Sequence, residues 1–113
     1  MRWFLRSKIH NATVTEARVE YIGSVTIDED LMEKSGLMAG EKVLVVDNTN
    51  GARVETYVIV GERGSGLVRM NGASAHLIKA GDEVIIMGFE LSDGPIKPRN
   101  VLVDERNRFV RYL

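Results

Sequence analysis

Residues 37–46 of the chain read LMAGEKVLVV, and residues 78–87 read IKAGDEVIIM. In both stretches Ala-Gly and an acidic residue precede a run of apolar residues, a pattern typical of a tight turn that leads into a buried strand. Turns of this kind often look alike, so chance can explain the likeness. The alternative is a barrel built from two related halves, and many short strands with few helices favour a small closed barrel.

The patterns outside these two stretches are mostly those of strands. Strands are predicted over residues 2–9, 14–21, 25–27, 42–47, 53–60, 67–70 and 83–89, followed by an edge hairpin that joins 101–103 to 109–110. Asn50-Gly51 is the strongest hairpin signal in the chain. One short helix is expected between an N-cap at Asp28 and a C-terminal glycine at Gly36. Residues 71–77 are expected to form a tight turn that runs into a helical turn.

Length and composition limit the kind of protein. With 113 residues the chain is expected to form a single domain over residues 1–113. The net charge is −1 and the basic residues are scattered, which argues against nucleic acid or an anionic membrane as a partner. No apolar run is long enough for a signal-peptide core or a membrane span, so no membrane partner is expected. The absence of cysteine excludes disulfides and thiolate zinc sites, and it fits a cytoplasmic protein.

The dipeptide Gly23-Ser24 offers a chemistry of its own. A serine hydroxyl can attack the carbonyl carbon of the residue before it and convert the amide into an ester. A glycine there adds no Cβ to obstruct the attack and can hold a strained backbone. Elimination from the ester leaves dehydroalanine, and hydrolysis then leaves a pyruvoyl group, whose ketone forms imines with amines. Taken alone, Gly-Ser marks an ordinary turn, as Gly64-Ser65 is expected to do.

Four other stretches give this dipeptide a context. The five together are KIH at residues 8–10, YIGS at 21–24, NTNGAR at 48–53, TY at 56–57 and NGASAH at 71–76. In this order and spacing they closely resemble the pyruvoyl-dependent aspartate 1-decarboxylases, over residues 8–89 and more loosely up to residue 110.

The resemblance implies a mainly β fold, a small double-psi β-barrel with short helices, and a proenzyme that cuts itself into residues 1–23 and 24–113. It implies a homotetramer that converts L-aspartate into β-alanine and carbon dioxide through a Schiff base, for pantothenate and coenzyme A synthesis. The cofactor is then a covalent pyruvoyl group derived from Ser24, with no metal and no pyridoxal phosphate. Because a barrel of this size fills its interior with side chains, we expect the site at a groove between subunits.

Two basic residues, Lys8 and Arg53, would otherwise be read as solvated surface charges. By resemblance they bind the substrate carboxylates, and arginine suits bidentate carboxylate recognition. A cation held tightly on the α-carboxylate would oppose its loss. We therefore expect both residues to act mainly on the side-chain carboxylate.

Thr56 and Tyr57 would otherwise be ordinary strand residues. By resemblance, the Thr56 hydroxyl assists the acyl shift at Gly23, and Tyr57 protonates the carbon that loses carbon dioxide. A phenol has a pKa of about 10 and can donate a proton at neutral pH. Consecutive strand residues point to opposite faces, so both can serve one site only through a local bulge or between subunits.

The remaining site residues are assigned by resemblance as well. Asn71 lies beside the pyruvoyl group, and the backbone of Gly72, Ala73 and Ser74 approaches the substrate. Some members of the family carry alanine where Ser74 stands, which leaves its role open. The supporting residues are Tyr21, expected near the cleavage point, and His10, expected with His76 to be structural because two histidines without nearby carboxylates make a poor metal site.

Two alternatives remain from the sequence. One is a non-catalytic β-barrel interaction module, which predicts an intact chain with an unmodified Ser24. The other is the same decarboxylation chemistry acting on another acidic amino acid, such as glutamate.

Overall fold

The computed structural model describes residues 1–113, and nine strands make up most of it. The strands are β1 (Arg2–Thr13), β2 (Glu16–Arg18), β3 (Ser24–Asp28), β4 (Lys42–Asp47), β5 (Arg53–Gly61), β6 (Val68–Asn71), β7 (Glu83–Ser92), β8 (Arg99–Val103) and β9 (Phe109–Tyr112). The helix α1 spans Glu29–Ser35, and a 3-10 helix spans Gly72–His76. None of the helices has the length and apolar character needed to cross a bilayer.

β1 and β2 behave as one bent strand, and their continuity closes the sheet into a barrel. Between them, the Val14 N–H donates to the Asp82 carbonyl oxygen at 2.9 Å, and the Thr15 N–H donates to the Val68 carbonyl oxygen at 2.8 Å. Going round the barrel, the order is β1–β2, β6, β3, β5, β4, β7 and back to β1. β8 and β9 extend the sheet beyond β1 as an edge hairpin.

The two similar stretches of sequence occupy equivalent places in this barrel. β4 and β7 pair antiparallel with Val45 opposite Ile86, which are matching positions of the two stretches. In each preceding turn a backbone N–H donates to an acidic side chain three residues later at 3.0 Å, from Met38 to Glu41 and from Lys79 to Asp82. The parallel pair β3–β5 is likewise matched by β6–β2. The predicted fold, a mainly β double-psi barrel with short helices, is confirmed.

The predicted short helix is confirmed together with both of its caps. The Asp28 carboxylate accepts the backbone N–H of Asp30 at 2.8 Å. It also accepts the backbone N–H groups of Gly64 and Gly66, at 2.9 and 2.8 Å. Gly36 ends the helix in the left-handed region, at φ 79°, where glycine has no Cβ penalty. Asp28 therefore fixes the end of β3 to the loop between β5 and β6.

The prediction of a strand over residues 14–21 is wrong for the second half of that range. Only Glu16–Arg18 forms a strand, and its partner β6 ends at Asn71, opposite Arg18. Beyond Asn71 the chain turns into the 3-10 helix, so no backbone is left for the next residues to pair with. Val19 and Tyr21 consequently lie in an exposed loop that leads to β3.

Candidate active site

Ser24 is the first residue of β3 and is fully buried. The antiparallel register of β3 and β6 places it opposite Asn71. The Ser24 hydroxyl donates to the carbonyl oxygen of Ile22 at 3.0 Å and accepts a hydrogen bond from Asn71 Nδ2 at 2.9 Å. Both partners are parts of the protein, so the hydroxyl is held in one orientation at the end of the strand.

Gly72 brings a second backbone segment against Gly23, the residue before Ser24. A Cβ placed on Gly72 would lie 2.6 Å from the Cα and 2.7 Å from the nitrogen of Gly23, and Gly72 has a φ of 78°. Only glycine therefore fits at position 72 without moving backbone.

Gly23 itself is less crowded than Gly72. Gly23 is not in the left-handed region, and the nearest atom to a Cβ built there is the Asn71 carbonyl oxygen at 3.9 Å. The close backbone contact depends on Gly72 instead.

Two residues of this site, Thr26 and Arg69, were missed by sequence reasoning. Thr26 Oγ1 accepts hydrogen bonds from Asn71 Nδ2 at 2.9 Å and from the Arg69 guanidinium at 3.3 Å. Arg69 Nε donates to Asn71 Oδ1 at 2.9 Å, and the guanidinium lies 5.0 Å from the centre of the Tyr21 ring. The available signal was the period of two along a strand, which puts Thr26 beside Ser24 and Arg69 beside Asn71.

Thr56 and Tyr57 lie one strand away from the Gly23-Ser24 bond. β5 runs parallel to β3, and their pairing begins with Val58 opposite Val25, which immediately follow Tyr57 and Ser24. Paired strands are about 4.8 Å apart, so residues 56–57 lead into the strand beside the start of β3. Tyr57 is 38% exposed while Thr56 is half-buried, and no register shift interrupts β5. The two side chains therefore point to opposite faces, and the bulge left open by the sequence is absent.

Lys8 and Arg53 are not brought to Ser24 within one chain. Lys8 lies on β1 between Met87 and Asn100 of the neighbouring strands. Arg53 begins β5, four residues before Tyr57, which is about 13 Å along a strand. Neither cation forms an ion pair.

Lys8, Arg53 and Tyr57 nevertheless share one surface, the outer face of the sheet β5–β4–β7–β1. Alternation along each strand puts them on the side opposite the buried core residues. The same face carries large apolar side chains that are half-buried or exposed: Trp3, Leu44, Met87 and Phe89. Three of these, Trp3, Leu44 and Phe89, line a groove of about 380 Å³.

The other predicted site residues lie either at the Ser24 site or on β1 near Lys8. Ala73 is exposed, and Ser74 Oγ donates to the carbonyl oxygen of Asn71 at 3.3 Å, so both follow Asn71 at the rim of the Ser24 site. Tyr21 lies at that site through its contact with Arg69. His10 is on β1, two residues beyond Lys8, and its buried Nδ1 has no hydrogen-bond partner.

The chain is similar to known proteins over nearly its whole length. The family model described as aspartate decarboxylase matches residues 1–110. The chain belongs to the aspartate decarboxylase family. The prediction of this family is confirmed, and with it the prediction of an enzyme of the decarboxylase class rather than a non-catalytic module.

Several curated relatives are named aspartate 1-decarboxylase. That of Acetivibrio thermocellus is 54% identical over 94% of this chain and 87% of its own. The relative in Bacillus pumilus is 53% identical over 99% and 91%, and that in Corynebacterium efficiens is 54% identical over 97% and 84%. Among solved structures, the computationally designed msDPBB_sym2 protein covers 77% of this chain and 99% of its own, with a TM-score of 0.48 and 24% identity.

Replacing Gly72 with alanine tests the backbone contact at the site. We expect Gly72→Ala to destabilise the fold by about 2–4 kcal/mol, because the new Cβ collides with Gly23 and the residue has a positive φ. Gly40→Ala is the matched control, since Gly40 has a φ of 82° and no atom within 4 Å of the added Cβ. That control should cost about 1 kcal/mol. Equal losses in melting temperature for the two variants would contradict the contact.

Proposed function

We propose that the chain decarboxylates L-aspartate to β-alanine and carbon dioxide with a pyruvoyl group made from its own Ser24. The observation that carries the proposal is the buried Ser24 hydroxyl, held by Ile22 and Asn71 beside the Gly23 carbonyl, in a chain of the aspartate decarboxylase family. The product would enter pantothenate synthesis in the cytoplasm.

The residues around Ser24 suit a carbonyl group at this position. Asn71 Nδ2 donates to Ser24 Oγ at 2.9 Å, and the same amide donates to Thr26 Oγ1. Ser24 Oγ would leave with Gly23, so the Asn71 donor beside it would become free for the ketone oxygen formed on Cα. The Ser24 site therefore suits the pyruvoyl group that the proposal requires.

The group would form by rearrangement of the Gly23-Ser24 peptide. Ser24 Oγ attacks the carbonyl carbon of Gly23, the bond from that carbon to the Ser24 nitrogen breaks, and the hydroxyl proton ends on the nitrogen. Loss of the Ser24 Cα proton and breakage of the Cβ–Oγ bond then release Gly23 as a carboxylate. Water hydrolyses the remaining dehydroalanine to the pyruvoyl group and ammonia. Thr56, two residues before the point where β5 begins to pair with β3, would assist the first step by hydrogen bonding to the Gly23 carbonyl.

The chain's own side chains would bind the substrate and supply the proton. The bound pyruvoyl group supplies a ketone that condenses with the substrate amine and accepts the electrons released with carbon dioxide. Lys8 and Arg53, which have no ion-pair partner, would bind the substrate carboxylates, mainly that of the side chain. Tyr57 would donate its phenolic proton to the carbon that has lost carbon dioxide.

We propose a homotetramer with the site at an interface, so that these roles are shared between subunits. Ser24 is buried at the start of β3, whereas Lys8, Arg53 and Tyr57 lie on the outer face of the sheet. The apolar side chains on that face are typical of a protein–protein contact. A neighbouring subunit seated there would bring its own Ser24 to the three side chains.

Ser24→Ala tests the self-cleavage. The variant should remain a single chain of residues 1–113 without activity, because no hydroxyl is left to attack. The wild type should give residues 1–23 and 24–113, the latter with a blocked amino terminus, and intact mass measures both. Ser65→Ala is the matched control, because it changes the other Gly-Ser dipeptide, which lies in an exposed turn. An intact wild-type chain, or a Ser24→Ala chain cut at the same bond, would overturn the mechanism.

Tyr57→Phe separates proton donation from binding. The ring remains and Ser24 is untouched, so folding, self-cleavage and substrate binding should survive. A positioned general acid typically contributes 10²–10⁴-fold, so kcat should fall by about that factor while KM changes little. Turnover close to wild type would exclude Tyr57 as the donor. A large rise in KM with unchanged kcat would make it a binding residue instead.

Mixing two inactive variants tests the shared site. Ser24→Ala subunits lack the reactive group but keep Tyr57, and Tyr57→Phe subunits have the reverse defect. Co-expressed with two different affinity tags and purified through both, the mixed assembly should regain activity that neither variant has alone. A mixed assembly no more active than Tyr57→Phe would show that each site is built within one subunit.

A further inference from the structure

Arg69 lies at the Ser24 site, where its guanidinium makes three hydrogen bonds. Its Nε donates to Asn71 Oδ1 at 2.9 Å, one terminal nitrogen to Thr26 Oγ1 at 3.3 Å, and the other to Glu16 at 3.4 Å. Its guanidinium also lies 5.0 Å from the centre of the Tyr21 ring. These hydrogen bonds use three of the five N–H groups of the guanidinium, and all three go to side chains of the chain itself. They tie Arg69 to the residues that surround Ser24.

The contact with Asn71 decides which way the Asn71 amide points. Both N–H groups of Asn71 are used, one on Ser24 Oγ and one on Thr26 Oγ1, each at 2.9 Å. If the amide were turned over, its NH₂ group would face the Nε–H of Arg69, donor against donor. Because Asn71 is 98% buried, water cannot relieve that conflict. The charged donor of Arg69 therefore fixes the orientation in which Asn71 donates to Ser24.

The orientation of the Asn71 amide determines which partners the hydrogen and the lone pairs of the Ser24 hydroxyl face. A hydroxyl has one hydrogen and two lone pairs. The hydrogen of Ser24 points to the Ile22 carbonyl and one lone pair accepts from Asn71, which leaves one lone pair for attack on the Gly23 carbonyl carbon. An overturned Asn71 would present its oxygen instead. The Ser24 hydrogen would then turn toward Asn71 and the hydroxyl would leave this arrangement.

We propose that Arg69 is a positioning residue for the self-cleavage: it holds the Asn71 amide so that the Ser24 hydroxyl is kept in its attacking orientation. This inference rests on the proposed function, and it assigns to Arg69 no contact with substrate.

The first test is the rate of self-cleavage in Arg69→Met. The full-length precursor should be cut about 10- to 100-fold more slowly than the wild type, the range expected for losing a hydrogen bond to a charged group. Arg18→Met is the matched control, because Arg18 is exposed and also pairs with Glu16, at 3.8 Å; its rate should be unchanged. Arg69→Lys keeps the charge but not the planar fork and should restore little. A normal rate in Arg69→Met, or full rescue by lysine, would overturn the inference.

A double-mutant cycle distinguishes positioning from a general loss of stability. If Arg69 acts through Asn71, Arg69→Met should cause no further slowing in an Asn71→Ala background. If it only stabilises the fold, the two effects on the rate should multiply. Multiplying effects would overturn the inference.

A second readout does not depend on cleavage. In the Ser24→Ala chain, which cannot be cut, Asn71 keeps its contacts with Thr26 and Arg69. Its side-chain NH₂ protons should exchange slowly with water in NMR spectra, and Arg69→Met should speed this exchange about tenfold or more. If the wild type fails to cut itself but the exchange responds, the proposed function fails while the positioning of Asn71 stands. If the wild type cuts itself but the exchange does not respond, only the inference about Arg69 fails.

Discussion

The close approach of the Gly23 and Gly72 backbones is the constraint on which the Ser24 site depends. The two glycines flank the last pair of the β3–β6 ladder, Ser24 opposite Asn71. A single added carbon at residue 72 would lie 2.6 Å from Gly23, so the pairing of these strands could not end in this way with any other residue there. The buried contact between the Ser24 hydroxyl and the Asn71 amide follows from that geometry.

The barrel is built from two halves with similar backbones, but only one half carries Gly23-Ser24 and its polar partners. The antiparallel pairs β3–β6 and β4–β7 each join equivalent strands of the two halves, so both lie on the axis that relates them. The β4–β7 pair supplies an apolar outer face, and the β3–β6 pair supplies Ser24 and its polar partners. Equivalent positions of the two halves thus carry a buried polar cluster at one place and an apolar outer surface at the other.

Local features of the fold could be predicted from the sequence, while contacts that join distant strands could not. The caps at Asp28 and Gly36 and the turn at Asn50-Gly51 depend on residues a few positions apart, and their signals are local. Arg69 stands two residues before Asn71, but its contact with Thr26 exists only because β6 pairs with β3. The position of Lys8 far from Ser24 is also a consequence of strand order, which no short pattern encodes.

The bent strand β1–β2 has a consequence for a chain that is cut after Gly23. Residues 1–23 carry both segments, which pair with β7, β8 and β6 and bury Ile9, Ala12 and Val14 in the core. The cut piece would remain as an integral part of the barrel without a covalent link to it. Unfolding would then separate two molecules, so the apparent stability of the cut protein would rise with its concentration. Refolding would become a bimolecular reaction, whereas the uncut chain folds by itself.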